Sequence, residues 1–213
     1  MPARLRPTAP IAADAILVGD PGRALMLAQE LHERPKMSNH ARGLWGYTGT
    51  TADGRPLTIQ STGMGGPSAA LVLRDLWKLG VRRAVRVGSC TALPGGPPLG
   101  EPFLVEEARR EDGAAATPDP ELTAALQAAL GGGVAAGAAL SLDAPYEDDG
   151  RPAPPGARVA DMQTAALLAR GRELGVALAA VLVVAEAPTG ERLDDEAAER
   201  AAKRAGRAAA AVL

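Results

Sequence analysis

The sequence predicts an α/β protein in which a mixed central sheet lies between two layers of helices, as a single domain over residues 1–213. Two observations support this three-layer α/β/α sandwich. Short apolar runs alternate with amphipathic stretches along the chain, which is the pattern of strands and helices packed in layers. The stretch at 56–93 also reads as strand, glycine-rich turn, helix and strand, which is a βαβ unit with two parallel strands.

In this central unit, a strand at 57–60 enters a glycine-rich turn at 61–66, and a helix follows over 67–79. The second strand, at 84–87, runs into Ser89. Because the two strands are parallel, the turn and the end of the second strand lie at the same edge of the sheet. Small ligands bind at this carboxyl edge in open α/β sheets, so we expect the functional site here.

The remaining predicted elements follow the same alternation. They are strands at 15–18, 44–51, 102–106, 134–142 and 176–185, and helices at 24–31, 119–130, 162–174 and 194–212, with residues 158–160 leading into the helix at 162–174. Asp53 and Gly54 supply a hairpin turn between two of the strands. The stretch 143–156 holds four prolines and two glycines, which predicts an irregular loop at the ligand edge.

Arg86 is the most informative residue of the central unit. Val85 and Val87 flank it in a strand that should be covered by helices. A buried guanidinium at this place needs an anion or a carboxylate partner. The alternative is an arginine at a strand end that reaches water.

A second glycine turn follows the first predicted strand, at residues 19–23, GDPGR. Backbone N–H groups at a turn that opens a helix attract anions, and the guanidinium of Arg23 makes phosphate a suitable ligand. An ordinary βα loop with an exposed arginine is the alternative reading of this pentapeptide.

The composition argues against several classes of function. With 23 Lys and Arg against 25 Asp and Glu, the chain lacks the cationic excess of a nucleic-acid-binding protein. The single cysteine, Cys90, cannot form an intramolecular disulfide and suits a reducing cytosol. His32, His40 and Cys90 have no zinc-like spacing, and no apolar run approaches the roughly 20 residues of a membrane span. We therefore expect a cytoplasmic protein without metal and without nucleic-acid or membrane partners.

Four motifs resemble, in the same order, those of the nucleoside phosphorylase family, specifically its hexameric branch of purine nucleoside and uridine phosphorylases. They are GDPGR at 19–23, GMGGPS at 63–68, RVGSC at 86–90 and DMQTA at 161–165. The resemblance implies a phosphorylase/hydrolase-like fold and a pentosyltransferase that splits a nucleoside with inorganic phosphate. The products would be the free base and ribose 1-phosphate, and no other cofactor is implied.

The resemblance also implies roles for individual residues. Gly19, Arg23, Arg86 and Ser89 would bind phosphate, and Arg42 would reach the phosphate of a neighbouring subunit. A homohexamer built from dimers is therefore expected. The ribose would contact Met162 and Gln163, and the base-binding positions are Cys90, Thr91, Tyr146 and Ala160. Glu186, assisted by Arg200, would protonate the leaving base.

The nucleoside half departs from the family pattern, whereas the phosphate half keeps it. Gln163 replaces a ribose-binding Glu, Glu186 replaces an Asp, Thr91 replaces a Gly, and Pro145 replaces a stacking Phe. The N-terminal His that a neighbouring subunit lends to the sugar is absent as well.

The favoured interpretation is a purine-type nucleoside phosphorylase. Residues 141–151, SLDAPYEDDGR, lack the Gln–Arg pair that reads uracil, which weighs against uridine phosphorolysis. Arg23, Arg42 and Arg86 weigh against simple hydrolysis. A phosphate- or nucleoside-binding homologue with little catalysis is the alternative from another class, and phosphorolysis of an unusual nucleoside is a third possibility.

Overall fold

The computed structural model describes residues 4–146 and 155–213. The ten strands of these residues are β1 Asp14–Val18, β2 Lys36–Asn39, β3 Gly46–Thr50, β4 Pro56–Ser61, β5 Arg83–Ala92, β6 Pro102–Arg110, β7 Ala115–Ala116, β8 Ala135–Ser141, β9 Ala157–Asp161 and β10 Ala177–Glu186. The helices are α1 Pro21–Leu31, α2 Gly66–Lys78, α3 Pro120–Leu130, α4 Thr164–Leu174 and α5 Asp195–Val212, with a short 3-10 helix at Ala41–Gly43. Part of the loop predicted at 143–156, namely residues 147–154, lies outside the described residues.

All ten strands belong to one mixed sheet with helices on both faces, so the predicted α/β sandwich is confirmed. One hydrophobic core lies under α2 and α4, and it includes Leu73, Phe103 and Leu167. The other core lies under α1, α3 and α5, and it includes Leu27 and Leu126. Two cores on opposite faces of a sheet are what bury both faces of its central strands.

The sheet also closes on itself, which the sequence pattern did not predict. Strand β10 pairs with both β5 and β6, and β6 leads through β8 to β9, which pairs back onto β5. The five strands form a closed ring, while β1, β4, β3 and β2 extend from β5 as an open sheet.

Strand β5 is much longer than predicted and continues to Ala92 instead of ending near Ser89. The reason is tertiary: β10 runs beside it in parallel register from Ala177 to Glu186 and continues its hydrogen-bonding ladder. Glycine at position 88 lowers the local strand propensity, so the sequence pattern did not indicate that the strand continues beyond it. The strand Lys36–Asn39 was also missed, because its sequence KMSN has no apolar alternation.

Candidate active site

A crevice opens along one edge of β5, where its neighbour changes from one strand to another. On this edge β1 pairs with β5 up to Arg86, and β9 pairs with it only from Thr91 onward. Residues 87–90 therefore face the gap between the carboxyl ends of β1 and β9. The turn that follows β1 and the start of α4, which follows β9, meet at this gap. Ligands of α/β proteins bind in crevices of this kind.

Arg86 lies at the floor of this crevice and is only 4% exposed. Its Nη2 donates to Asp161 Oδ2 at 2.8 Å, its Nη1 to Gln163 Oε1 at 2.8 Å and its Nε to Thr164 Oγ1 at 2.9 Å. The sequence left open an anion or a carboxylate as partner, and the carboxylate of Asp161 is present. A guanidinium has five N–H donors, so two remain for a further anion.

Gly88 provides the space for this guanidinium. A β-carbon at position 88 would lie 2.7 Å from Arg86 Nη2 and 2.6 Å from Leu182 Cδ2. Such distances are too short for any side chain, because non-bonded carbon contacts are optimal near 3.5–4.0 Å. The glycine of the 86–90 motif is thus explained by the arginine two residues before it.

Asp161 ends β9 and organises the start of α4. Besides Arg86, its carboxylate accepts from the Oγ of Ser141 at 2.5 Å and from the Oγ1 of Thr164 at 2.6 Å. It also accepts from the backbone N–H groups of Gln163 and Thr164 at 3.1 and 3.0 Å. A buried carboxylate is tolerated when it is paired and hydrogen-bonded in this way.

The GMGGPS turn reaches the same place through Gln163, which is 3% exposed. The Nε2 of Gln163 donates to the carbonyl oxygens of Gly63 and, at 3.5 Å, Gly65. Its Oε1 accepts from Thr62 Oγ1 at 3.0 Å as well as from Arg86. Gly63 and Gly65 have φ angles of +74° and +79°, which only glycine adopts without strain.

The GDPGR turn closes the other side. A β-carbon on Gly19 would lie 3.6 Å from the Gly63 carbonyl oxygen and 3.7 Å from Gln163 Oε1, so the two turns meet. Asp20 caps α1 by accepting from the backbone N–H of Arg23 at 2.7 Å. This use of the aspartate is that of an ordinary helix cap.

Arg23 is the second cation of the crevice. Burial and then the nearby charge of Arg86 lower the pKa of its guanidinium, while Asp20 opposes the shift. Within residues 4–146 and 155–213 the guanidinium makes no hydrogen bond or ion pair. Two cations that destabilise each other, one of them without a partner, create a strong preference for an anion between them.

Ser89 and Cys90 point to opposite faces of β5, as neighbours on a strand do. Ser89 is partly exposed, and its hydroxyl makes no hydrogen bond within the described residues. The Cys90 thiol is buried and donates to the Val183 carbonyl oxygen at 3.5 Å. Burial, then the negative charge of Asp161, raise the pKa of this thiol, so it stays protonated and is not a nucleophile.

Cys90 is the first of the predicted base-binding positions, and Thr91 follows it along β5. Thr91 pairs with Ala160 of β9 on one side and with Glu186 of β10 on the other. Ala160 belongs to a small apolar cluster against which Tyr146 packs. A β-bulge precedes Glu186 in the β10 register, and such bulges re-aim side chains at sheet edges.

Glu186 pairs with Arg192, not with Arg200. The Nη2 of Arg192 lies 3.2 Å from Glu186 Oε2, and the two residues also form an isolated antiparallel bridge. Arg200, 63% exposed on α5, makes an ion pair with Glu196 one helical turn away. The structure therefore brings Arg192, which sequence reasoning missed, to the position expected for Arg200.

Arg42 and Met162 lie at the rims. Arg42 is exposed and has a φ of +61°, the one positive value among the described non-glycine residues. Met162, partly exposed, lines a cavity of about 440 Å³ between α2, α4 and the ends of β6 and β8. This cavity does not include the two arginines of the crevice, so we place the anion site by the converging side chains and not by cavity size.

Two negative observations apply to the described residues. No group of three or more His, Cys, Asp or Glu side chains in residues 4–146 and 155–213 could hold a metal ion. Among the helices found in those same ranges, none combines the length and the hydropathy needed to cross a bilayer.

Comparison with known proteins agrees with this geometry. Residues 14–213 match the family model described as the phosphorylase superfamily, and the chain belongs to this family. The crystal structure of purine nucleoside phosphorylase from Toxoplasma gondii in complex with immucillin-H superposes with a TM-score of 0.83. The match covers 94% of this chain and 91% of that one at 22% sequence identity, and it establishes the fold.

Curated relatives match over a shorter stretch. A DeoD-type purine nucleoside phosphorylase from Oceanobacillus iheyensis is 42% identical over 84 residues, which are 39% of this chain and 35% of the relative. A DeoD-type enzyme from Caldanaerobacter subterraneus subsp. tengcongensis is 39% identical over 84 residues, 39% of this chain and 36% of the relative. The aligned region thus spans about a third of these relatives. The family assignment therefore rests on the match over residues 14–213 to the phosphorylase superfamily.

The residues that sequence reasoning missed are Asp161, Thr164 and Arg192 as parts of the site. Asp161 and Thr164 belong to the DMQTA motif. An acidic residue at the junction between a strand and a helix could have suggested a carboxylate that caps the helix. Arg192 carried no usable signal, because its pairing depends on how the chain turns after β10.

Proposed function

We propose that this protein is a nucleoside phosphorylase that acts on purine nucleosides. An oxygen of inorganic phosphate attacks the anomeric carbon of the sugar, and the bond from that carbon to the base nitrogen breaks. The electron pair of this bond goes to the base, which takes a proton from the carboxyl of Glu186. The products are free base and ribose 1-phosphate, and solvent returns the proton to Glu186.

The observation that carries this proposal is the pair of cations in the β5 crevice. Arg86 keeps two N–H donors and Arg23 keeps its whole guanidinium, while the turn at Gly19 closes the opposite wall. Guanidinium groups hold phosphate through paired, charge-assisted hydrogen bonds. Phosphate as the co-substrate is therefore part of the proposal, with Ser89 as a further hydroxyl ligand.

The residues expected around the base support the purine assignment less directly. Thr91, Ala160 and Glu186 lie side by side across three strands, beyond the phosphate site along β5. An acid at this position protonates a leaving base, which contributes a factor of about 10² to 10⁴ to the rate. The curated relatives are named purine nucleoside phosphorylases, which favours a purine over uracil.

The test is release of base from inosine, adenosine and guanosine with and without phosphate, together with uridine as the pyrimidine comparison. We expect phosphate-dependent release from at least one purine nucleoside. Glu186→Ala should lower turnover by about 10² or more, because the leaving base then lacks its acid. Equal release without phosphate would contradict the proposal and indicate a nucleosidase.

A binding homologue with weak or no catalysis is the second candidate, and one observation favours it. The carboxylate of Asp161 already pairs with Arg86, and the Gln163 amide makes all its hydrogen bonds within the protein. Calorimetry that detects phosphate and nucleoside binding, without turnover of any nucleoside tested, would support this alternative.

We further propose that the active unit is a homo-oligomer, a hexamer built from dimers, in which Arg42 reaches a neighbouring site. All four large apolar side chains that are exposed in the described residues lie between positions 37 and 71, the segment that contains Arg42: Met37, Trp45, Met64 and Leu71. We propose that these side chains contribute, with Arg42, to the contact between subunits.

A further inference from the structure

Asn39, the last residue of β2, is a fully buried polar residue that contacts the turn carrying Arg42. We propose that Asn39 is a positioning residue, which fixes this turn so that the exposed Arg42 is held in place for the phosphate of a neighbouring subunit. This inference rests on the proposed function, in which Arg42 reaches a neighbouring site. Its main readout is phosphate affinity, which is measured without turnover.

The amide of Asn39 bridges the turn. Its Nδ2 donates to the carbonyl oxygen of Leu44 at 2.5 Å and to that of Ala41 at 3.4 Å, so the two contacts lie on either side of Arg42. Its Oδ1 accepts from the backbone N–H of Arg6 at 2.8 Å. Since a primary amide has two N–H donors, both are used within the protein. The same side chain thereby connects the N-terminal segment to the turn.

A β-bulge in β2 precedes this residue. The register of β2 against β3 shifts between Met37 and Asn39, and bulges of this kind re-aim side chains at sheet edges. Asn39 pairs with Gly46 of β3, whereas Ser38 has no register partner there. The bulge thus accompanies the placement of the amide against the turn.

The turn itself has weak local support. Arg42 adopts φ +61° and ψ +20°, a left-handed conformation that is unfavourable for a residue with a β-carbon. His40 precedes the short 3-10 helix without a side-chain hydrogen bond that caps it. The backbone hydrogen bonds of the turn measure 3.3 and 3.2 Å, longer than the usual ~2.9–3.0 Å. Contacts from buried side chains therefore contribute to holding this conformation.

Gln60 of β4 supports one end of the same turn. Its side chain is fully buried, and its Nε2 donates to the carbonyl oxygens of Leu44 at 2.9 Å and Trp45 at 3.4 Å. The end of the turn after Arg42 thus has two amide donors. Asn39 also contacts the carbonyl before Arg42, which Gln60 does not. Loss of Asn39 should therefore loosen the turn without detaching it from the sheet.

The guanidinium of Arg42 is available for a ligand. Across the part of the chain that the structure describes, it makes no hydrogen bond or ion pair. A long side chain loses conformational freedom when it binds, and a backbone that is already fixed reduces this loss. The amide of Asn39 should therefore strengthen phosphate binding through Arg42, although it does not touch the phosphate.

The first experiment measures the binding of inorganic phosphate by titration calorimetry in the wild type, Asn39→Ala and Ser38→Ala. Ser38 is the matched control, because it is equally buried and its hydroxyl has no hydrogen-bond partner in the described structure. We expect Asn39→Ala to weaken phosphate binding by about threefold to tenfold and Ser38→Ala to leave it within about twofold. Wild-type affinity in Asn39→Ala would overturn the proposal.

A double variant separates positioning from a general structural role. If Asn39 acts through Arg42, Asn39→Ala combined with Arg42→Ala should bind phosphate as weakly as Arg42→Ala alone. A further loss of affinity in the double variant would overturn the proposal, because the amide would then act by another route. In phosphorolysis, Asn39→Ala should raise the KM for phosphate and leave the KM for the nucleoside within about twofold. An equal rise in both KM values would also overturn it.

A second substitution covers the case in which Asn39→Ala fails to fold or to assemble, as judged by sedimentation. Asn39→Asp keeps the size of the side chain and the acceptor for the Arg6 N–H, but it lacks both N–H donors. It should still weaken phosphate binding, and wild-type affinity in this variant would overturn the proposal.

Failure of the proposed function gives a different result. A wild type that binds phosphate but turns over no nucleoside would contradict phosphorolysis only, and the calorimetry would still decide the role of Asn39. If Arg42→Ala binds phosphate like the wild type, both the shared site and the positioning role are overturned.

Discussion

Arg86 is a buried cation whose three nitrogens each contact a different side chain of the 161–164 segment. This network contains a buried ion pair, and it also forms part of the proposed phosphate site. Breaking a buried pair from one side leaves the other charge without compensation, which is usually worse than removing both. This makes Arg86 a residue whose loss should affect stability as well as phosphate binding.

The replacement Arg86→Met tests this directly. We expect the free energy of unfolding to fall by about 3 kcal/mol, because Asp161 keeps a buried charge without its cation. Chemical denaturation measures the change, with Arg200→Met on the exposed face of α5 as the matched control, expected within about 0.5 kcal/mol. Adding Asp161→Asn to Arg86→Met should recover part of the loss, and a strictly additive further loss would contradict the ion-pair explanation.

His32 gives a prediction about pH. Its ring is buried against Gly49, both ring nitrogens lack hydrogen-bond partners in the described structure, and burial lowers its pKa. The folded state therefore binds a proton less well than the unfolded chain, whose imidazole titrates near its ordinary value of 6.5. The contribution to stability is complete above that pH and is lost as the pH falls from 6.5 toward the folded pKa.

Urea denaturation at several pH values between about 5 and 8 checks this. The variant His32→Leu fills similar space and does not titrate, so its stability should fall less than that of the wild type below pH 6.5. Parallel stability curves for the two proteins would show that His32 is not responsible.

At the scale of single elements, β5 carries the site because its neighbours change along its length. Its lower half pairs with β1, its upper end with β9, and Gly88 lies between the two pairings. The element thereby exposes one stretch of strand edge, and the absence of a side chain at 88 admits the guanidinium from position 86.

Gly88→Ala should therefore abolish the crevice geometry with a minimal chemical change. The added methyl group would overlap Arg86 Nη2 and Leu182 Cδ2, so we expect a loss of stability of about 1–3 kcal/mol and weaker phosphate binding. Gly132→Ala is the control, because position 132 is exposed and a β-carbon there meets nothing within 4 Å. Wild-type phosphate affinity in Gly88→Ala would contradict the assigned position of Arg86.

Two arginines that follow β10 differ in their ion-pair partners. Arg192 contacts Glu186, whereas Arg200 contacts Glu196 on the same helix. If Glu186 is the acid, Arg192→Ala should lower kcat by a factor of about 2 to 5, because an exposed pair contributes about 1 kcal/mol at most. Arg200→Ala should have no effect on kcat. The opposite order in steady-state kinetics would restore Arg200 to the role that the family resemblance implies.

At the scale of the whole molecule, the backbone of Arg42 suggests a role in assembly. A left-handed φ in a non-glycine residue costs about 1 kcal/mol or more and persists where surrounding contacts enforce it. Hydrogen bonds within the chain hold this turn, from the Gly43 N–H to the His40 carbonyl oxygen at 3.3 Å and from the Leu44 N–H to the Ala41 carbonyl oxygen at 3.2 Å, and they leave the Arg42 side chain exposed, as the proposed reach to a neighbouring subunit requires. The proposed interface also includes the exposed apolar side chains at 37–71.

Mixing two inactive variants tests whether sites are shared. Arg42→Ala and Glu186→Ala each disable the proposed site in a different way. If each site uses its own Glu186 and the neighbour's Arg42, co-expression of the two variants should restore activity in up to about a quarter of the sites, as random pairing in dimers predicts. Activity equal to the average of the separate variants would contradict a shared site, and sedimentation analysis reports the assembly independently.

Local sequence signals were enough to predict the alternation of strands and helices, the two glycine turns and the importance of Arg86. These follow from local causes: apolar periodicity, helix capping and the conformations open to glycine, all of which act within a few residues. The partner of Arg86, the contacts of Gln163 and the pairing of Glu186 with Arg192 depend instead on tertiary contacts. Each joins segments that lie apart along the chain or follow a turn after β10, and which segments meet depends on how the sheet closes from β10 and β9 back onto β5.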